Sequence, residues 1–118
     1  MRELGTANFS DAIAAGPILV DFWAPWCRPC RAVEPILAAL EAESGGRLAF
    51  AKLNVDEHPE IASRYDVLSI PRVLLFAEGE LRGTVVGARP RAYFDRWLAE
   101  VLPADQLDGI AVQRDEQA

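Results

Sequence analysis

Residues 18–23, Ile18-Leu19-Val20-Asp21-Phe22-Trp23, form an apolar run broken by one acid and bounded by Gly16-Pro17 and Ala24-Pro25. That pattern predicts a strand covered on both faces. Beyond Cys27, the residues Val33, Ile36, Leu37 and Leu40 fall at i, i+3, i+4 and i+7, the apolar stripe of a helix, and Ser44-Gly45-Gly46 ends it. Residues 48–55 read as a second buried strand and residues 59–65 as a short helix with Pro59 in its first turn. Residues 72–77 and 81–86 flank Glu78-Gly79, a hairpin signal. Pro90 opens a last helix that carries Phe94, Trp97, Leu98, Val101 and Leu102 on one face, and Pro103 closes it. Residues 8–15 predict an opening helix, with Thr6 or Asn8 able to cap it and Gly16-Pro17 ending it. Strand, helix, strand and then a hairpin predict an α/β chain with a central mixed sheet, parallel where a helix crosses over and antiparallel at the hairpin.

At 118 residues, 51% hydrophobic and 25% charged, the chain has the make-up of one globular domain. It is long enough to bury a core without metal or disulfide staples. We take residues 1–103 as that domain and residues 104–118, which show no clear period, as a tail that is loosely docked or disordered. Acidic residues number 18 against 12 basic ones, for a net charge of −6. That balance argues against nucleic acid or an anionic membrane as partner. The longest apolar region, residues 13–26, is interrupted by Gly16, Pro17, Asp21 and Pro25 and is too short to span a bilayer. No secretory signal opens the sequence, so a cytoplasmic monomer is expected. Lys52 is the sole lysine.

The two cysteines, Cys27 and Cys30, lie between the first buried strand and its helix. A structural zinc site needs four ligands, and the chain offers two thiols and one distant histidine, His58. An iron–sulfur cluster needs four thiolates, and haem attachment needs a histidine where Arg31 stands. No metal is therefore expected. A structural disulfide closing so short a loop stabilises by only about 2 kcal/mol, against about 3 for a fifteen-residue loop. Two unrelated buried thiols are the other alternative, but a flanking Trp26 and an intervening Pro29 at a helix start speak against them. Exchange chemistry fits the spacing best. A thiol at a helix N-terminus meets unpaired N–H groups and the positive end of the dipole, which favour a thiolate. Cys27 can then attack a substrate disulfide, and Cys30, one turn further in and shielded, can resolve the mixed disulfide.

The stretch Phe22-Trp23-Ala24-Pro25-Trp26-Cys27-Arg28-Pro29-Cys30 closely resembles the active-site stretch of the thioredoxin family, and Ser69-Ile70-Pro71 resembles the loop those proteins place opposite it. The likeness runs over about residues 8–102. It implies the thioredoxin fold, a mixed sheet with helices on both faces, and reduction of disulfides in client proteins. It also implies a redox-active Cys27–Cys30 disulfide in place of a bound cofactor, recharged by an NADPH-dependent thioredoxin reductase. Asp21, a carboxylate inside an apolar strand, is implied as the proton acceptor for Cys30; a solvated strand edge is the alternative. Lys52 is implied to approach and tune Asp21, or else is simply exposed. Ile70-Pro71 is implied to be cis, a form that only about 5–6% of X–Pro bonds adopt, turning the Ile70 backbone toward Cys27 for a client strand to pair with. Trp26, Pro29 and the Val86-Gly87-Ala88 turn are expected to rim the reactive sulfur. Trp23 is expected in the core with Asp56 accepting its indole N–H. Pro35 interrupts its helix and is expected to kink it without a chemical role. His58 receives no catalytic task.

Three residues depart from the family pattern: Arg28 for the usual glycine, Ser69 for a common glycine, and Arg72 for the usual threonine. A cation beside a thiolate is worth about 0.3–1 kcal/mol, which is about 6–21 mV. Relatives of known potential, thioredoxin itself among them, span about 150 mV between reductants and strong oxidants. Arg28 alone therefore leaves the chain a reductant, while Arg28 and Arg72 together favour acidic client segments. Two other readings fit the same residues: a thioredoxin-fold module or holdase that binds peptide without turnover, and an isomerase-like variant made more oxidising by Arg28.

Overall fold

The computed structural model describes residues 1–102. Pro103 and the proposed tail lie outside the described residues. The chain runs β1 (Arg2–Leu4), α1 (Phe9–Ala14), β2 (Ile18–Trp23), α2 (Arg28–Ser44), β3 (Ala49–Asn54), α3 (Pro59–Arg64), β4 (Arg72–Ala77), β5 (Glu80–Val86) and α4 (Arg91–Val101). The strands form one five-stranded sheet in the order β1-β3-β2-β4-β5. β2 pairs in parallel with β3, the two joined through α2, and antiparallel with β4, and β5 returns beside β4. The hairpin turns on Glu78 and Gly79, both at positive φ (57° and 78°), the backbone that suits the twist of a two-residue hairpin.

Because side chains alternate along a strand, β2 feeds two cores. Leu19 packs with Val33, Leu37 and Leu40 of α2 and with Phe94, Trp97 and Leu98 of α4. Ile18, Val20 and Phe22 face the other way, among Phe9 and Ile13 of α1 and Ile61 of α3. Burying each such side chain contributes about 1.5–3 kcal/mol before chain entropy is set against it. On the α1/α3 face, Phe9, Tyr65 and Phe76 meet with ring centroids 5.1–5.7 Å apart.

The structure departs from the sequence reading in two places. β1 was not expected: it has one buried residue, Leu4, and takes its strand character from parallel pairing with β3, which residues 2–4 alone do not encode. Asn8 precedes α1 but does not cap it; its Oδ1 accepts the Gly5 N–H at 2.7 Å, and the Thr6 hydroxyl donates to Glu60. Pro35 lies within α2, where the reading placed it. Its ring is exposed, so the Arg31 carbonyl that loses its helical donor lies on a solvent-facing side. The end of α2 follows the reading: Gly45 takes φ 62°, the left-handed stop that glycine provides. Arg91 then ties α4 to α2 by pairing with Glu43 and, at 3.5 Å, with Asp95.

Candidate active site

β2 delivers the chain to the C-terminal edge of the sheet, where Cys27 becomes the N-cap of α2 with extended backbone. The Cys27 N–H donates to the Ala24 carbonyl at 3.1 Å, and Cys27 Sγ accepts the Cys30 N–H at 3.3 Å. The first sulfur thus sits where a helix leaves its N–H groups unpaired, an arrangement that stabilises negative charge on it. The two cysteines form a disulfide across Cα atoms 5.3 Å apart. In this oxidised state both residues are nearly covered, Cys27 3% and Cys30 4% exposed, so the expected contrast between a reachable and a shielded sulfur is not visible. Ala24, Val55, Ile70 and Trp23 pack against the pair.

Behind the disulfide is a cavity of about 160 Å³ lined by Asp21, Trp23, Ala24, Pro25, Cys30, Arg31 and Glu34. Asp21 is 1% exposed, and its Oδ1 has no hydrogen-bond partner among the described residues. A solvated strand edge is therefore excluded. Burial, then the charge of Glu34, push its carboxyl up to about 7, with Lys52 pulling the other way. A carboxyl so placed can give or take a proton at neutral pH. Lys52 is in register with Asp21 on the adjacent strand. Its ammonium, however, bonds Glu34 at 3.0 Å and lies 4.8 Å from the Trp23 ring centroid. Glu34 was missed because the pattern of α2 marks it only as a polar residue between core positions.

Opposite the cysteines, the Ile70–Pro71 bond is cis and the Pro71 carbonyl accepts the Gly87 N–H at 2.9 Å. Gly87 has φ 88°, a conformation that favours glycine, and this bond fixes the β5 end of the turn against the loop. Val86 and Ala88 beside it are exposed. The better-formed apolar hollow lies on the other side, about 240 Å³ between Trp26, Val55, Val67, Leu68, Ser69 and Ile70. Leu68, 90% exposed, was missed; the apolar pair Val67-Leu68 ahead of Ser69-Ile70-Pro71 was the available signal. Arg28 and Pro29 are exposed in the first turn of α2, while Arg72 is half-buried with its Nε unpartnered.

The pairing expected for Asp56 is corrected. It is Trp26 that donates its indole N–H to Asp56, at 2.9 Å, whereas Trp23 Nε1 is buried without a hydrogen-bond partner among the described residues. Trp23 is on β2, on the face of Asp21 and Lys52, and is half-buried rather than core; Trp26 lies past the strand end, beside the turn that follows β3. Asn54 holds that turn by accepting the Asp56 N–H at 2.9 Å. Asp56→Ala should release the exposed Trp26 ring at a cost of about 0.5–1.5 kcal/mol or less. In a ¹⁵N spectrum the Trp26 indole resonance should move while that of Trp97 stays; an unmoved Trp26 signal would show that the bond does not hold in solution.

Among the described residues no group of three His, Cys, Asp or Glu side chains could hold a metal, and no helix is long and apolar enough to cross a membrane. Comparison with known proteins bears on the same residues. The chain is 42% identical over 90 residues to thioredoxin M2, chloroplastic, of Arabidopsis thaliana, covering 76% of this chain and 48% of that protein. It is 40% identical over 95 residues to a thioredoxin of Listeria monocytogenes, covering 80% and 92%. It is 44% identical over 84 residues to a thioredoxin of Bacillus subtilis, covering 71% and 81%. The chain spans less than half the length of the chloroplast relatives it matches. The family model described as Thioredoxin matches residues 1–100. With that match, and with a disulfide at the head of α2 facing a cis-proline loop, the chain belongs to the thioredoxin family.

Proposed function

We propose that this chain is a protein dithiol–disulfide oxidoreductase that reduces disulfides in client proteins. The observation that carries the reading is the Cys27–Cys30 disulfide at the N-terminus of α2 with the buried Asp21 carboxyl beside Cys30 across one cavity. In the reduced protein the Cys27 thiolate attacks one sulfur of a client disulfide. A mixed disulfide forms and the other client sulfur leaves as a thiolate. Cys30 gives its proton to the Asp21 carboxylate and attacks Cys27 Sγ, so the internal disulfide closes and the second client thiolate departs. The client is oxidised by none of these steps: it gains two electrons, and the cysteine pair loses two. An NADPH-dependent thioredoxin reductase returns them.

Around this chemistry, the Ile70 main chain offers an edge for an extended client segment, with Trp26, Pro29, Gly87 and Ala88 bordering it. The exposed Arg28, together with Arg72, favours acidic segments. The protein acts as a monomer in the cytoplasm. Lys52 tunes Asp21, and Trp23, Pro35 and Asp56 are structural. The test is insulin reduction by dithiothreitol with and without the protein, alongside the potential of the pair in glutathione buffers. Catalysed precipitation and a potential in the reductant range are expected. No acceleration by wild type would make the chain a peptide-binding module, and a potential near that of protein disulfide isomerase would make it an isomerase.

A further inference from the structure

The three charged groups around the buried carboxyl are not arranged as a simple acid–lysine pair. Asp21 and Lys52 are register partners on β2 and β3, and alternation places both on the face that looks toward α2. Yet no ion pair within 4 Å joins them among the described residues, and Asp21 Oδ1 is unpartnered. The Lys52 ammonium instead reaches Glu34 Oε2 at 3.0 Å, with its side chain 20% exposed and that of Glu34 46% exposed. Glu34 lines the cavity that Asp21 and Cys30 share, so the pair brings the Lys52 charge to a residue of that lining. Arg31, the other charged residue of α2 on the lining, is committed elsewhere: its guanidinium donates to the Pro25 carbonyl at 3.0 Å. From β4 the register partner of Asp21 is apolar Val73, and Arg72, paired with Phe22, lies on the opposite face. Among the described residues, Lys52 is thus the one cation free to choose between the two carboxylates.

We infer that Glu34 is a positioning residue of this site: by bonding the Lys52 ammonium from the lining of the cavity, it keeps that charge off Asp21. The inference deepens the oxidoreductase reading and rests on it for its functional meaning. An ammonium within reach of Asp21 would favour the carboxylate, while a neighbouring carboxylate opposes it. Glu34 acts in both ways at once, since it withdraws the cation and adds a like charge. Its effect is to keep the carboxyl protonated nearer to neutral pH, which is where a proton acceptor for a thiol is best matched. A structural surface pair would not do this. An ion pair as exposed as Lys52–Glu34 stabilises by about 1 kcal/mol or less.

The test is a ¹³C-carboxyl titration of Asp21 in the oxidised protein, where neither cysteine titrates, in wild type, Glu34→Gln, Lys52→Gln and the double variant. Glu34→Gln should lower the Asp21 midpoint by about 0.5 or more, and Lys52→Gln should raise it. In the Lys52→Gln background the Glu34→Gln change should shrink to less than half, because no cation is left to release. A midpoint within about 0.2 of wild type in Glu34→Gln overturns the inference, and so does an equal fall in both backgrounds, which would leave Glu34 acting by its own charge alone. Loss of stability without a moved midpoint would make the pair merely structural. The titration needs neither client nor turnover. Failure of insulin reduction by wild type would therefore sink the functional reading while the Glu34 result still stood or fell by itself. Where wild type is active, the acid limb of the resolution step should move in the same direction as the titration.

Discussion

Replacing Cys30 with serine should stop turnover and leave the protein covalently joined to its client. Cys27 still holds the N-cap position that favours its thiolate, so the first exchange proceeds and one client thiolate departs. A serine hydroxyl cannot displace that sulfur, and the mixed disulfide persists. Steady-state insulin reduction should fall on the order of a thousandfold or more. Mass spectrometry should find one client per protein, attached at Cys27. Cys27→Ser should be equally inactive but form no adduct at Cys30. The two variants thereby assign the order of attack that the equal coverage of the sulfurs leaves open in the oxidised protein. An adduct at Cys30 in Cys27→Ser, with none at Cys27 in Cys30→Ser, would reverse the assignment.

Asp21→Asn should make the protein more stable and slower. In the unfolded chain this carboxyl titrates near 3.8, and in the native protein near 7. Well below 3.8 it is neutral in both states and contributes no pH dependence. Between those values the unfolded chain is ionised and the native one is not, so the native state binds more protons and stability falls as pH rises. Above 7 the loss is complete. At about 1.4 kcal/mol for each unit of pKa, it amounts to about 4 kcal/mol. Asparagine keeps the shape and a polar atom at the Oδ1 position while removing the charge. Its advantage should open from about pH 4 and level off at about 4 kcal/mol above pH 7. Denaturant midpoints measured from pH 4 to 9 read this directly, and curves that stay parallel would show that folding does not raise the carboxyl above its unfolded value. Over the same range, resolution by Cys30 should slow on the order of a hundredfold, because the thiol has lost its proton acceptor. A large gain of stability purchased with activity is what a strained functional group predicts.

The parts of this site that could be read from the sequence are those with a local cause. Cys27 at a helix start follows from a bounded apolar run, two cysteines three apart and an apolar stripe beyond them. The mixed sheet follows from strand, helix, strand and hairpin in order, and the stop at Gly45 from a glycine pair. The unread parts are set by neighbours distant in sequence. β1 exists because β3 offers it hydrogen bonds. Asp56 takes Trp26 rather than Trp23 because β2 ends between the two tryptophans and only the second reaches the turn after β3. The Glu34–Lys52 bond spans eighteen residues and depends on where α2 crosses over β3. Burial of Asp21 was legible from its apolar neighbours; the charge balance around it was not.

The alternation of β2 separates two layers that answer to different demands. Leu19, Asp21 and Trp23 share the layer that holds the buried carboxyl and the cavity beside Cys30, where volume and polarity are constrained together. Ile18, Val20 and Phe22 belong to a layer anchored by the Phe9, Tyr65 and Phe76 rings, whose fully buried members among the described residues are all apolar. That second layer can drift through mutation, or be repacked in the laboratory, with little toll on the redox couple. Val55 and Ile70 are its frontier, since both also pack against the sulfurs. Adaptation of this scaffold to heat or to new clients should therefore accumulate behind that frontier before it crosses it.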